Sequence, residues 1–112
     1  MRRPALVALL ALAALTPAWA QSDDPRDVIY DLAAIEADHE TCAFPLTDEQ
    51  QDVVTQRRDA LVTRGDVSET DVSTVTEQVK AALQRQRGEG LCRPDGAEAR
   101  LYKRRLAALG LL

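Results

Sequence analysis

The residues best suited to chemistry lie in one short stretch of the chain. His39 is the only histidine, and Cys42, three positions later, is one of two cysteines. A cysteine near a histidine can form a nucleophile and its base, provided that the thiol is free to ionise. Glu36 and His39 also form an E-x-x-H pair, one helical turn apart, which di-iron bundles use in duplicate with further glutamates.

Neither chemistry is completed elsewhere in the sequence. Cys92 is the one possible partner of Cys42, and a disulfide between them removes the nucleophile. A metal site needs a cluster of histidines, thiolates or paired carboxylates, and the chain has a single histidine. We therefore expect no catalytic residue, no metal and no cofactor. We interpret His39 as a residue near a helix C-terminus, where a positive charge is favoured.

The first 20 residues predict the compartment. Two arginines precede an apolar run over residues 5–15, and Ala18-Trp19-Ala20 places small residues where a signal peptidase reads them. We expect cleavage before Gln21, which leaves residues 21–112 as a single domain. The apolar run is too short for a mature membrane helix, which takes about 20 residues. The prediction is a periplasmic or secreted protein in which the two cysteines are paired.

The charge of the chain argues against nucleic acid as a partner. Without the two leader arginines, 12 basic residues face 18 acidic ones, a net charge of −6. The distribution is uneven, because residues 21–79 carry −11 and residues 80–112 carry +5. An exported acidic protein is a poor candidate for binding an anionic polymer.

Apolar residues recur at helical spacing in four segments of the mature chain, and no segment has the pattern of a strand. The expected helices run from about Arg26 to Glu40, Asp48 to Arg64, Glu69 to Arg87 and Gly96 to Leu109.

Capping boxes are expected at three helix starts. They pair Thr47 with Gln50, Ser68 with Asp71, and Asp95 with Glu98.

The two halves of the mature chain share one organisation. A helix is followed by Cys42 and Pro45, then by a cap and a second helix, and the same order recurs around Cys92 and Pro94. Each half is thus an αα-hairpin. In an up-down bundle both hairpin connections lie at the same end, where a disulfide can join them. We predict an all-α, four-helix up-down bundle of two αα-hairpins stapled by Cys42–Cys92.

Three charged residues fall within apolar helix faces. Glu36, Arg57 and Arg105 are phased with the residues expected to form the core. Burial of an unpaired charge is costly, so ion pairing across the bundle is one expectation. The alternative is that their long side chains pack along the core while the charged ends stay in water.

One apolar group is a candidate binding patch. If it is exposed, it would mark an interaction site. It comprises Phe44, Leu46, Leu111 and Leu112.

The order of leader, helix, Cys42, helix, helix, "GEGLC" and helix resembles that of small secreted helical proteins of proteobacteria. The high share of arginine is typical of a GC-rich bacterial genome. A looser resemblance is to the HdeA-type periplasmic acid chaperones, in size, helical content and a single disulfide. That family's tryptophan-cysteine context is absent at Cys42, which follows Glu40 and Thr41.

These observations favour a non-enzymatic module that binds a protein or an envelope component. The alternatives are an acid-responsive periplasmic chaperone and, last, a hydrolase.

Overall fold

The computed structural model describes residues 24–86, 88 and 90–112. Within them the chain forms four helices and no strand, so the predicted all-α four-helix fold is confirmed. The leader at residues 1–20 and the expected helix end at Arg87 lie outside the described residues. The helices are α1 (Pro25–Cys42), α2 (Asp48–Thr63), α3 (Glu69–Arg85) and α4 (Ala97–Ala108).

Helix α1 has a defined start and a defined end. The Asp24 side chain accepts a hydrogen bond from the Arg26 N–H, and Pro25 occupies the first turn, where its missing N–H costs nothing. The helix ends because Ala43 adopts a left-handed conformation, with φ of 57°, and its N–H donates to the His39 carbonyl. This left-handed cap carries α1 to Cys42, two residues past the expected end.

The first two expected capping boxes are present. Thr47 and Gln50 exchange both hydrogen bonds at the start of α2. Ser68 and Asp71 do the same at the start of α3, although aspartate is shorter than the usual glutamate.

The third expected capping box is wrong. The N-cap of α4 is Gly96, which has no side chain to offer. Asp95 lies instead beside Arg93, and the Glu98 carboxylate faces Arg105 further along α4. The acidic side chain that the sequence pattern assigned to a cap therefore takes part in a buried interaction.

Helix α1 lies at the centre of the molecule, because α2, α3 and α4 each pack against it. One side of α1 is built from large residues, Ile29, Leu32 and Ile35, which join the core formed with α2 and α4. The opposite side presents Ala34 and Ala37 to α3. These small residues pack against a second cluster that contains Val79, Leu83 and Leu91.

The corner after α1 is held by several bonds. A disulfide joins Cys42 to Cys92, with the Cα atoms 5.0 Å apart, as predicted. The Tyr102 hydroxyl donates to the Pro45 carbonyl at 2.6 Å, and the rings of Phe44 and Tyr102 lie 5.3 Å apart. These contacts fasten the corner to α4 at both the backbone and the side-chain level.

The lone histidine also belongs to this corner. His39 Nδ1 donates to the Phe44 carbonyl at 2.6 Å, which bridges the last turn of α1 to the loop that follows it. Its role in the structure is therefore to close the corner.

The four helices lack the length and apolar character of a membrane span in the part of the chain that the structure describes.

Reduction of the disulfide should destabilise the fold. The bond closes a loop of 50 residues, and releasing such a loop costs roughly 4 kcal/mol in the chain-entropy model. Thermal melts followed by circular dichroism should show a melting temperature lower by more than about 10 °C, since about 1 kcal/mol shifts a domain of this size by several degrees. A variant with both cysteines replaced by serine should have the melting temperature of the reduced protein, and reductant should not change it. Equal melts with and without reductant would contradict the stapled corner.

Candidate functional site

Asp38 is the buried charged residue among those that the structure describes, with none of its surface exposed. It lies on α1 one turn after Ala34 and Ile35, which are themselves buried, so the helix carries it into the interior. Its Oδ1 atom receives no hydrogen bond from any described residue. A buried carboxylate oxygen without a donor is costly, and this cost governs the chemistry around Asp38.

Arg105 of α4 is the cation that faces Asp38. Its Nη1 atom lies 3.2 Å from Glu98 and 3.5 Å from Asp38, and its Nε atom lies 3.6 Å from Asp31. The guanidinium also lies over the Tyr30 ring, 5.7 Å from its centroid. Only 13% of the Arg105 side chain is exposed. We call Asp31, Asp38, Glu98 and Arg105 the carboxylate cluster.

One cation cannot balance three carboxylates that are buried or half-buried. Burial, the hydrogen bond with Glu98 and the negative charge of Glu98 together raise the pKa of Asp38 to about 8, against the lowering effect of Arg105. Burial also raises the pKa of Asp31, against the lowering effect of Arg105. At neutral pH Asp38 therefore retains its proton, which allows the side chain to donate to Glu98 rather than repel it.

The carboxylate cluster borders a small cavity of about 150 Å³ between α1, α3 and α4. The wall from α3 and its end is uncharged in the described residues, with Val79, Ala82, Leu83 and Gln86. Because the described residues of this wall carry no charge, burial raises the pKa of Asp38 more than Arg105 lowers it.

A second, larger cavity lies at the stapled corner, on the other side of α4. Its volume is about 600 Å³, within the range of roughly 300–1,000 Å³ typical of ligand sites. We call it the corner groove. Its apolar lining includes Phe44, Pro45, Pro94, Ala99, Leu106 and Leu112 beside the disulfide, and Thr47, Gln50, Tyr102 and Lys103 supply polar atoms.

The candidate binding patch is not a single exposed surface. Phe44 is buried, because its ring packs against Tyr102 and the core. Leu46 and Leu111 are half-buried and also pack on the core, whereas Leu112 is 75% exposed. Of the four residues, Phe44 and Leu112 line the corner groove.

The ion pairs of the structure differ from those expected for Glu36, Arg57 and Arg105, the three charged residues on apolar helix faces. Glu36 pairs with Arg58 of α2 and not with Arg57, which is exposed. An apolar face that included Val53 and Ala60 would be centred near Arg57, but Val53 is only half-buried and Ala60 is exposed. The fully buried positions on α2 are Val54 and Leu61, and the face that they define turns Arg58 towards α1.

Arg105 lies at the cluster, but its partners Asp31 and Asp38 have no signal of charge pairing in the sequence pattern. Asp38 could have been identified, because it follows Ile35 by three positions and precedes Cys42 by four on the buried side of α1. The sequence pattern assigns Glu98 to a capping box, so it does not indicate that Glu98 pairs with Arg105. The E-x-x-H pair is used in other contacts, since Glu36 binds Arg58 and His39 binds the Phe44 carbonyl.

No group of three or more metal-ligating side chains with suitable geometry occurs in residues 24–86, 88 and 90–112. Comparison of the chain with protein-family models, with curated proteins and with solved structures found no match.

Replacement of Arg105 by methionine should destabilise the protein at neutral pH. The variant keeps much of the side-chain volume but leaves the carboxylates without their cation, and breaking a buried ion pair in this way costs about 3 kcal/mol. Arg104→Met is the matched control, because Arg104 is exposed on the same helix and its replacement should cost less than about 0.5 kcal/mol. Urea unfolding at pH 7 measures both. Equal losses for the two variants would contradict the importance of the cluster.

Proposed function

We propose that the protein is an exported, non-enzymatic binding module whose corner groove accepts apolar side chains of a partner protein. The observation that carries the proposal is the groove itself, an apolar cavity of about 600 Å³ beside the disulfide. Ligand sites are typically concave and mainly apolar, with a few polar groups that orient the ligand.

The walls of the groove are fixed before anything binds. The disulfide and the Tyr102–Pro45 hydrogen bond hold the corner, and the Gln50 side chain donates to the Leu111 carbonyl at 2.7 Å on the other side. A site that is already ordered loses little conformational entropy on binding. This rigidity supports a binding role for the groove.

The polar groups of the groove indicate the kind of partner. Lys103 is the charged residue among the described residues that line it, and the neighbouring Arg100 and Arg104 are exposed on α4. A segment with one or two apolar side chains followed by an acidic residue would satisfy both the apolar wall and Lys103.

Export belongs to the same proposal. The leader pattern at residues 1–20 supports delivery to the periplasm or the exterior, and the disulfide is compatible with an oxidising compartment. An acid-responsive chaperone would have to open on acidification. The raised pKa of Asp38 favours the folded state as protons are added, so the binding module is the better-supported alternative.

Photo-crosslinking tests the position of the binding site. Benzoylphenylalanine in place of Leu112, at the edge of the groove, should give a discrete protein adduct in an envelope extract of the source cells. The same group in place of Tyr30, the other exposed large apolar residue in the described part of the chain, should not give that adduct. An excess of unlabelled protein should suppress the adduct. Crosslinking of equal strength from both positions, or from neither, would contradict the proposal.

A charge reversal tests the chemistry of the partner once the adduct has been identified by mass spectrometry. Lys103→Glu should weaken the purified complex several-fold or more, because it opposes the expected acidic residue of the partner. Lys80→Glu makes the same change at an exposed position on α3, away from the groove, and should leave the dissociation constant within about twofold, as expected for a distant surface charge. If the two variants bind equally well, Lys103 does not take part in recognition.

A further inference from the structure

We propose that Asp38, Glu98 and Arg105 form a proton-operated lock that fastens α4 to α1 and releases it as the pH rises above neutral. Asp38 belongs to α1, whereas Glu98 and Arg105 belong to α4, so both contacts of Asp38 cross the interface between these two helices.

The groups that face Asp38 come from three elements. Helix α4 contributes Glu98, Arg105 and Tyr102; α1 contributes Asp31 and Tyr30 around Arg105. The cavity wall from α3 and its end is uncharged in the described residues. Arg105 is therefore the cation available to the carboxylates of Asp31, Asp38 and Glu98. With a proton on Asp38 the pair Asp38–Glu98 is bound by a hydrogen bond, and without it two negative charges face each other in the interior.

The direction of the pH effect follows from the number of protons bound. An unfolded aspartate releases its proton near a pKa of ~3.9, whereas folding raises the pKa of Asp38 to about 8. Between these values the folded state holds one proton more than the unfolded state. The contribution of Asp38 is therefore fully present at low pH and is lost progressively as the pH rises towards 8. One extra proton increases the unfolding constant by up to about tenfold for each pH unit.

The lock bears on the corner groove because α4 forms part of both. Glu98, Leu101 and Arg105 lie on the side of α4 that faces the cluster cavity. Ala99, Tyr102 and Leu106 lie on the side that lines the groove. Release of α4 would thus alter one wall of the groove. The lock itself does not depend on what the groove binds, since its test is stability.

Urea unfolding between pH 5 and pH 8 tests the lock in the protein with its disulfide intact. Asp38→Asn keeps a neutral hydrogen-bond donor at all pH values. The ratio of the wild-type unfolding constant to that of Asp38→Asn should therefore rise by up to about tenfold for each pH unit between pH 5 and 7. Asp52→Asn, the same change at an exposed position of α2, should keep the wild-type pH profile. Parallel profiles for wild type and Asp38→Asn would overturn the proposal.

Glu98→Gln provides an independent test should Asp38→Asn fold poorly. It removes the negative charge that helps Asp38 to keep its proton, so the pKa of Asp38 in the folded state should fall. The loss of stability with rising pH should then end at a lower pH and be smaller in total than in the wild type. Glu49→Gln in the first turn of α2, which is exposed, is the control and should leave the profile in place. An unchanged profile in Glu98→Gln would overturn the proposal.

Discussion

Enclosure of α1 by the other three helices is the constraint on which the structure depends. A helix in this position must be apolar on the sides that its neighbours cover, and α1 meets this requirement with large residues on one side and alanines on the other. Asp38 is the exception among its buried residues. Its side chain cannot reach water, so it keeps a proton, which it shares in a hydrogen bond with Glu98 opposite Arg105. Burial of Asp38 costs stability, and the same side chain determines how α4 is held against α1.

Helix α4 is attached to the rest of the molecule in two ways. The covalent attachment runs through Cys92, just before the helix, and is supported by Tyr102 and Phe44 at the corner. The electrostatic attachment runs through Arg105 on another side of the helix. The first fixes the corner regardless of pH, whereas the second depends on a proton. The disulfide therefore fixes one side of the corner groove, whereas the wall formed by α4 responds to protonation of Asp38.

Much of the fold could be predicted from the sequence because its signals are local. The caps at Thr47 and Ser68, the breakers between helices and the two cysteines each act over a few residues, and together they fix four helices and one disulfide. The candidate site was less predictable because it depends on how helices face one another. Arg57 and Arg58 differ by 100° around α2, and only the packed structure selects Arg58 as the partner of Glu36. Glu98 fits a local capping pattern, but its side chain lies instead beside Arg105 of the same helix and Asp38 of α1.

The central claim is that Asp38 is protonated inside the folded protein at neutral pH. Carbon-detected NMR of the aspartate side-chain carboxyl carbons, recorded from pH 3 to pH 9 and assigned by comparison with Asp38→Asn, measures this directly. The account predicts that the Asp38 signal keeps the shift of a protonated carboxyl through pH 6 and titrates at about 8. A midpoint near ~3.9, the value of an aspartate in water, would contradict it.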